Sequence, residues 1–147
     1  MHNVHGFNFA TSTVSLVMGR VKNDKVCIPV RDHLRELLEK HHFLEGAPFL
    51  WVGMLYLYGI KNDLKVRYKR IDKKYGDLPI EIELDMNILK WCDKNNVDLM
   101  ADIFMIACLE SLIQVGQKYK LRHDFLVEER KKYGNIPNTI EECEAYV

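Results

Sequence analysis

The sequence predicts an α+β fold, in which an antiparallel sheet of about four to five strands carries helices on one face and the C-terminal half is helical. Segments that alternate between apolar and polar residues concentrate between residues 10 and 85. Long apolar patterns with helical spacing follow between residues 86 and 133. Strands and helices separated along the chain in this way are typical of α+β proteins. A length of 147 residues is that of one domain, spanning residues 1–147.

Two strands joined by a turn are predicted near the start of the chain, at residues 13–20 and 26–30. Pro29 cannot donate a ladder hydrogen bond, so the second strand is expected at an edge or a strand end. Asp32 is then predicted to cap a surface helix of about three turns that ends near Gly46.

The most apolar stretch of this half, residues 49–60, has apolar side chains at both alternating sets of positions. That pattern favours a central strand covered on both sides, with a buried helix as the alternative. The aromatic and β-branched content, followed by Gly59, favours the strand. Segments 63–70 and 80–85 alternate apolar with charged residues and predict two further strands.

The stretch KVRYKRIDKKYGDLPIEIELD, residues 65–85, predicts an antiparallel hairpin centred on Tyr75. One register then opposes every base to an acid, pairing Lys65 with Asp85, Arg67 with Glu83 and Lys69 with Glu81. The hairpin can simply neutralise itself, since cross-strand ion pairs help to define register. The same charged face can also bind a partner, and the two interpretations are compatible.

The binding interpretation extends this face to a third strand. A turn at residues 61–62 would pair Tyr58 with Lys65 and Tyr56 with Arg67. Tyrosine and arginine are enriched among the residues that dominate protein interfaces. The predicted partner-binding residues are Tyr56, Tyr58, Lys65, Arg67, Lys69, Glu81 and Glu83.

The second half predicts three helices, at residues 86–93, 97–119 and 122–133, and the last ten residues suggest a short fourth. Asn95 with Asp98 resembles an N-terminal cap for the second helix. That helix is apolar around nearly its whole circumference and is the predicted core helix. The charged run at 128–132 is predicted to be a solvated helix face.

Composition disfavours several classes of function. Lys plus Arg and Asp plus Glu both number 21, so the chain lacks the basic field that nucleic-acid binding needs. Four widely spaced cysteines without a CxxC pair favour buried free thiols in a reducing compartment, with a disulfide as the open alternative. The N-terminus lacks signal-peptide features and the apolar runs are short, which predicts a cytoplasmic protein outside the membrane.

Catalytic signatures are missing from the sequence: it contains no GxxxxGK[ST], GxGxxG, GxSxG or HExxH pattern. The six histidines are scattered, so neither a metal nor another cofactor is predicted. The open enzymatic alternative is a site assembled from separate residues such as His33, Tyr56, Asp98 and Asp102.

Four segments carry a resemblance to a known class of proteins: GRVKNDKVCIPV, YGIKNDLKVRY, YGDLPIEIELD and LIQVGQKYKLRHDFLVEERKKYG. With them the chain resembles the immunity proteins of bacterial polymorphic toxin systems. The resemblance implies a non-enzymatic protein that binds one cognate toxin domain tightly and blocks it. Many immunity proteins that neutralise nucleases are acidic, so the neutral charge argues against a nuclease target. A phage or host-defence adaptor is the other binding alternative.

Overall fold

Four strands and five helices form the part of the chain that the computed structural model describes, which is residues 6–10, 19–45, 47, 51–59, 65–68 and 77–146. The strands are β1 (Gly6–Ala10), β2 (Trp51–Gly59), β3 (Lys65–Tyr68) and β4 (Asp77–Asp85). The helices are α1 (Arg20–Lys40), α2 (Met86–Asn95), α3 (Val97–Tyr119), α4 (Asp124–Arg130) and α5 (Ile140–Glu144).

The four strands form one mixed sheet in the order β1-β2-β4-β3. β1 and β4 both run parallel to β2, and only the pairing of β3 with β4 is antiparallel. The prediction of an α+β fold with an antiparallel sheet is therefore wrong. A long helix, α1, lies between the parallel strands β1 and β2, so helices and strands are not segregated along the chain. Parallel neighbours require such a long crossover, whereas alternation along a strand does not encode the direction of its neighbour.

Helix α1 replaces the predicted second strand and the turn before it, and it continues through most of the predicted helix, which therefore begins at Arg20 and not at Asp32. Gly19 precedes it with a φ of 83°, and Asp32, the predicted cap, lies exposed inside it. Pro29 also lies inside the helix and is exposed. Its ring removes one backbone hydrogen bond, but buried residues recur every fourth position across it: Val26, Val30, Leu34 and Leu38. Residues 13–18 of the first predicted strand lie outside the described residues.

Short junctions join β4, α2 and α3. Asp85 ends β4 and caps α2, because its Oδ1 accepts a hydrogen bond of 2.8 Å from the Asn87 backbone N–H. Asn96 alone separates α2 from α3 and caps α3 by accepting from the Leu99 N–H at 3.0 Å. The predicted bounds 97–119 are confirmed for α3, whereas its cap lies one residue after the predicted Asn95.

The core lies between the sheet and the helices. Thirteen of the 23 residues of α3 are buried, which confirms it as the core helix. The described apolar strand positions that are buried belong to one alternating set on β4 and to β2: Val52, Leu78, Ile80, Ile82 and Leu84. They form a single apolar cluster with buried residues of α1, α2 and α3.

All four cysteines are buried free thiols, as predicted: Cys27, Cys92, Cys108 and Cys143. Burial, with a smaller contribution from the charge of Asp24, raises the pKa of the Cys27 thiol to about 12. This thiol donates to Asn23 Oδ1 at 3.1 Å and is protonated at neutral pH. It is therefore a core side chain with one polar contact.

The corner between α3 and α4 depends on Gly116. A Cβ atom at that position would lie 2.7 Å from the Cβ of His123, which is closer than real Cβ contacts. The His123 Nδ1 lies 2.8 Å from the Leu121 carbonyl oxygen, which fixes the ring at the start of α4. The missing side chain at Gly116 therefore lets α4 fold back against α3.

Candidate partner-binding surface

Four of the predicted binding residues face one another across β3 and β4. Lys65 is the Cα partner of Glu83, and Arg67 is the Cα partner of Glu81. Partners in an antiparallel pair share one face of the sheet. Positions 81 and 83 alternate with the buried positions of β4, and alternation places them on the opposite face from the core. Each of these bases therefore lies opposite an acid on the neighbouring strand, as the sequence pattern suggested.

The predicted register of this pair is wrong by two residues. Arg67 was expected opposite Glu83 and lies opposite Glu81 instead. Asp85, the expected partner of Lys65, caps α2 and is 8% exposed. A shift of one residue would exchange the two faces, but a shift of two preserves them. The charge pattern repeats every two residues and therefore cannot distinguish the two registers. Lys69 lies outside the described residues.

The predicted pairing of β2 with β3 is also wrong, because β4 lies between them. Tyr56 is the Cα partner of Ile82 and Tyr58 that of Leu84, and both β4 residues are buried. The structure therefore does not align the tyrosine positions with the bases. Contact of a partner with any of these residues stays a prediction.

The register brings two leucine positions in line with the charges, which sequence reasoning did not include in the surface. Leu55 is the partner of Glu81, and Leu57 is the partner of Glu83. We call the resulting rows, Leu55–Glu81–Arg67 and Leu57–Glu83–Lys65, the charged rows. Each row runs from an apolar position on β2 to a base on β3, the edge strand of the described sheet. The sequence signal for Leu55 and Leu57 was the second alternating apolar set of residues 49–60. Their alignment with the acids of β4 follows only from the parallel pairing of β2 with β4.

The residues of the enzymatic alternative have separate partners. His33 Nε2 lies 2.9 Å from Glu129 Oε2, whereas the Tyr146 hydroxyl donates to Asp102 Oδ2 at 2.8 Å. Asp98 is exposed in the first turn of α3. Burial and the hydrogen bond to Asp102 raise the pKa of Tyr146 to about 12. Tyr146 is thus a protonated donor, and Asp102 is occupied as its acceptor.

Glu129 forms a buried ionic contact that the sequence did not reveal. It is 7% exposed, although residues 128–132 were predicted to be a solvated face. Its Oε1 accepts from Lys132 Nζ at 2.9 Å, and its Oε2 contacts His33 of α1. Burial opposes ionisation, but the hydrogen bonds and charges of Lys132 and His33 outweigh it, so the pKa of Glu129 is below its ordinary value. This carboxylate ties α4 to α1.

Arg130 also departs from the predicted solvated face. Its Nε and Nη2 donate to Glu110 Oε1 at 3.1 and 3.0 Å, and its Nη1 donates to the carbonyl oxygens of Tyr133 and Gly134 at 3.1 and 2.9 Å. One side chain therefore joins α3 to the segment that follows α4. Arg130 and Glu129 therefore both hold separate segments of the chain together.

Within the ranges that the structure describes, no three His, Cys, Asp or Glu side chains gather as a metal site. His41 and His42, the two adjacent histidines of the sequence, have other contacts. His41 stacks on Phe125 with ring centroids 4.2 Å apart, and His42 Nδ1 lies 3.3 Å from Glu45 Oε2.

Helix α3 is long and apolar enough to cross a membrane if length and composition alone are considered. Most of it is buried against the rest of the protein, as expected for a core helix. The same test is passed by core helices of proteins that do not enter membranes, so it is weak evidence for a span.

A family model matches most of the chain and shows an immunity protein of the toxin–immunity type. The family is Immunity protein 39, and the chain belongs to it, with residues 4–132 matched. The resemblance to immunity proteins is thereby confirmed. The match spans β1 to α4 and ends before α5.

Searches of curated proteins and of solved structures found no match to the chain.

Proposed function

We propose that this immunity protein neutralises one cognate bacterial toxin domain by binding it in the cytoplasm, and that the charged rows form the contact surface. Family membership supports the inhibitory role. The register that aligns Arg67 with Glu81 and Lys65 with Glu83 supports the surface, and it is the observation that carries the proposal. The chain is electrically balanced, which favours a protein partner over nucleic acid.

The proposed contact set keeps the residues predicted from sequence and gains the two leucines of the charged rows. It comprises Leu55, Tyr56, Leu57, Tyr58, Lys65, Arg67, Lys69, Glu81 and Glu83. The charged members carry the proposal. Tyr56 and Tyr58 align with buried residues of β4 and lie outside the charged rows.

The charged rows suit a selective interface for three physical reasons. Opposite charges placed across two strands attract one another by only about 0.2–1 kcal/mol, so a partner with complementary charges can compete for them at small cost. A partner with the inverse charge pattern meets like charges and is rejected. The rows also lie on strands, so little conformational freedom is lost when the complex forms.

A charge-swap experiment tests the surface while protecting the fold. The toxin domain encoded beside the immunity gene is the partner, and affinity and survival of toxin-expressing cells are measured. The variant Lys65→Glu/Arg67→Glu/Glu81→Lys/Glu83→Lys retains opposite charges across β3 and β4 but inverts the pattern presented to the toxin. We expect an unfolding free energy near that of wild type and an affinity reduced by about 100-fold or more.

A matched control is the swap Glu128→Lys/Lys131→Glu on α4, which inverts an exposed ion pair of 3.0 Å. It should leave affinity and protection unchanged. If the folded four-residue swap binds like wild type, the charged rows are not the contact surface. If wild type itself neither binds nor protects against the neighbouring toxin, the proposed function is wrong.

A further inference from the structure

Two of the buried thiols lie together at the contact between α2 and α5. The contact between α2 and α5 brings Cys92 and Cys143 together, and each thiol shifts the pKa of the other. Cys92 is 0% exposed and Cys143 is 1% exposed, and the two helices that carry them pack against each other. Cys27 instead donates to Asn23. The Cys92–Cys143 pair is thus placed for chemistry between two sulfurs.

Helix α5 is lightly held. It has five residues, and Cys143 is its only buried residue. Glu141, Glu142 and Glu144 are exposed, Ile140 and Tyr146 are only partly buried against the core, and the Tyr146 hydroxyl donates to Asp102. Segments with few buried groups open locally at a small fraction of the global unfolding free energy. Local opening of α5 therefore exposes Cys143 without unfolding the core.

We infer that Cys92 and Cys143 are a redox modification site, at which a small neutral peroxide forms an intramolecular disulfide that fastens the C-terminal segment 133–146 to α2. The inference does not depend on how the protein binds its toxin. Cys143 lies beyond the matched residues 4–132, so the inference does not rest on family membership.

The reaction balances with one hydrogen peroxide. In the open state the Cys143 thiol loses its proton, and its sulfur attacks one peroxide oxygen. The O–O bond breaks, and a sulfenic acid and one water form. After α5 closes, the Cys92 sulfur attacks the Cys143 sulfur, the S–O bond breaks, and the hydroxide leaves with the Cys92 proton as a second water. Two thiols are oxidised by two electrons, and the peroxide is reduced.

The surroundings select the attacking thiol and the oxidant. Burial raises the pKa of Cys143 and the hydrogen bond from Cys92 lowers it, while Glu142, Asp85 and Glu144 raise it further. Opening of α5 removes the burial of Cys143, whereas Cys92 stays on α2, where burial is the main cause that raises its pKa to about 12. Cys143 is therefore the thiol that ionises in the open state. The same acidic neighbours repel anionic oxidants such as oxidised glutathione, which favours a neutral peroxide.

The test uses the full-length reduced protein and hydrogen peroxide, with oxidised glutathione as the comparison oxidant. Free thiols are alkylated after denaturation, and intact mass and peptide mapping identify the linkage. We expect a Cys92–Cys143 peptide, formed faster with peroxide, and a higher Tm that dithiothreitol reverses, since a cross-link restricts the unfolded chain. Cys143→Ser should abolish the linkage, and Cys108→Ala should retain it.

The wild-type peptide map alone is decisive if a variant fails to fold. Oxidation of Cys143 to sulfinic acid without a linked peptide would overturn the inference, as would a linkage through Cys27 or Cys108. An unchanged Tm in the linked protein would show that the disulfide does not fasten the segment, which also contradicts it.

Discussion

Two adjacent acids on α4, Glu128 and Glu129, belong to different regions of the molecule although their local geometry is the same. Each accepts from a lysine three residues later, at 3.0 Å for Lys131 and 2.9 Å for Lys132. The Glu128 side chain is 70% exposed and that of Glu129 is 8% exposed. Only Glu129 reaches a second helix, through His33. Helical spacing therefore does not determine what an ion pair contributes, because burial and a distant partner decide it.

The comparison extends to the two sides of the helical layer. The inner side contains the apolar face of α3 and the contacts of Glu129 and Arg130, which hold helices together. The outer side carries ion pairs in water, where exposed pairs are worth little. Substitutions of similar size should therefore have unequal effects on the two sides.

The largest effect is expected in the middle of α3. Leu109→Ala should lower the unfolding free energy by about 2–5 kcal/mol, because it removes a fully buried side chain and leaves a cavity. Denaturant unfolding measures it, with Val127→Ala on the outer side, where Val127 is 37% exposed, as the control. A loss under about 0.5 kcal/mol would mean that α3 is not the centre of the core.

The next effect concerns the inner ion pair. Glu129→Gln should cost about 1–3 kcal/mol, because it weakens two charge-assisted hydrogen bonds at a buried group. His33→Ala separates the contribution of α1 from that of Lys132. Equal stability of Glu129→Gln and wild type would show that the buried contact adds nothing beyond its exposed neighbour.

The pH dependence of stability sharpens the same point. The folded pKa of Glu129 is below its ordinary value of 4.5, so its stabilisation is full above that pH and is lost as the pH falls through the folded pKa. The stability difference between wild type and Glu129→Gln should therefore shrink when unfolding is measured at pH 4.5 and below. A constant difference would contradict the ionised, hydrogen-bonded carboxylate.

The smallest effect belongs to the outer pair. Glu128→Gln should change the unfolding free energy by less than about 0.5 kcal/mol, because water and salt screen an exposed helical pair. A thermal or denaturant scan at low and high salt measures it. A cost equal to that of Glu129→Gln would break the comparison between the two sides.

The helices of the second half were largely predictable from sequence. The all-round apolar run of α3 and the polar residues near its C-terminus indicated a core helix at 97–119, and the structure has those bounds. Helix α2 begins at the predicted Met86 and runs two residues past the predicted end. Local patterns sufficed here because each helix is defined by contacts within one continuous segment.

The first half was not predictable in the same way. Val26, Val30, Leu34 and Leu38 recur with helical spacing, but Pro29 suggested a break that burial on both sides of it overrides. Alternation located β2, β3 and β4, yet it contains no information about which strands are neighbours or in which direction they run. The predicted order, in which β3 lies between β2 and β4, assumes that consecutive strands are neighbours. The parallel pairing of β2 with β4 excludes that order.

The candidate surface was partly predictable for related reasons. The charges of Lys65, Arg67, Glu81 and Glu83 indicated a cross-strand face, and the structure aligns them with a shift of two residues. Leu55 and Leu57 were missed because a β2–β4 neighbour relationship cannot be read from either segment alone. Glu129 was missed because its partner His33 lies 96 residues away.

The parallel pairing of β1 with β2 has a consequence during synthesis. Forty residues separate Ala10 from Trp51, so β1 leaves the ribosome well before its partner is made. At about 5–20 residues per second, this delay is roughly 2–8 s. Throughout it, the strand GFNFA, with Phe7 and Phe9, lacks β2, which is its neighbour in the described sheet. The nascent chain must therefore keep this apolar strand from self-association until β2 arrives, and we expect chaperones that bind short apolar segments to contact it in that interval.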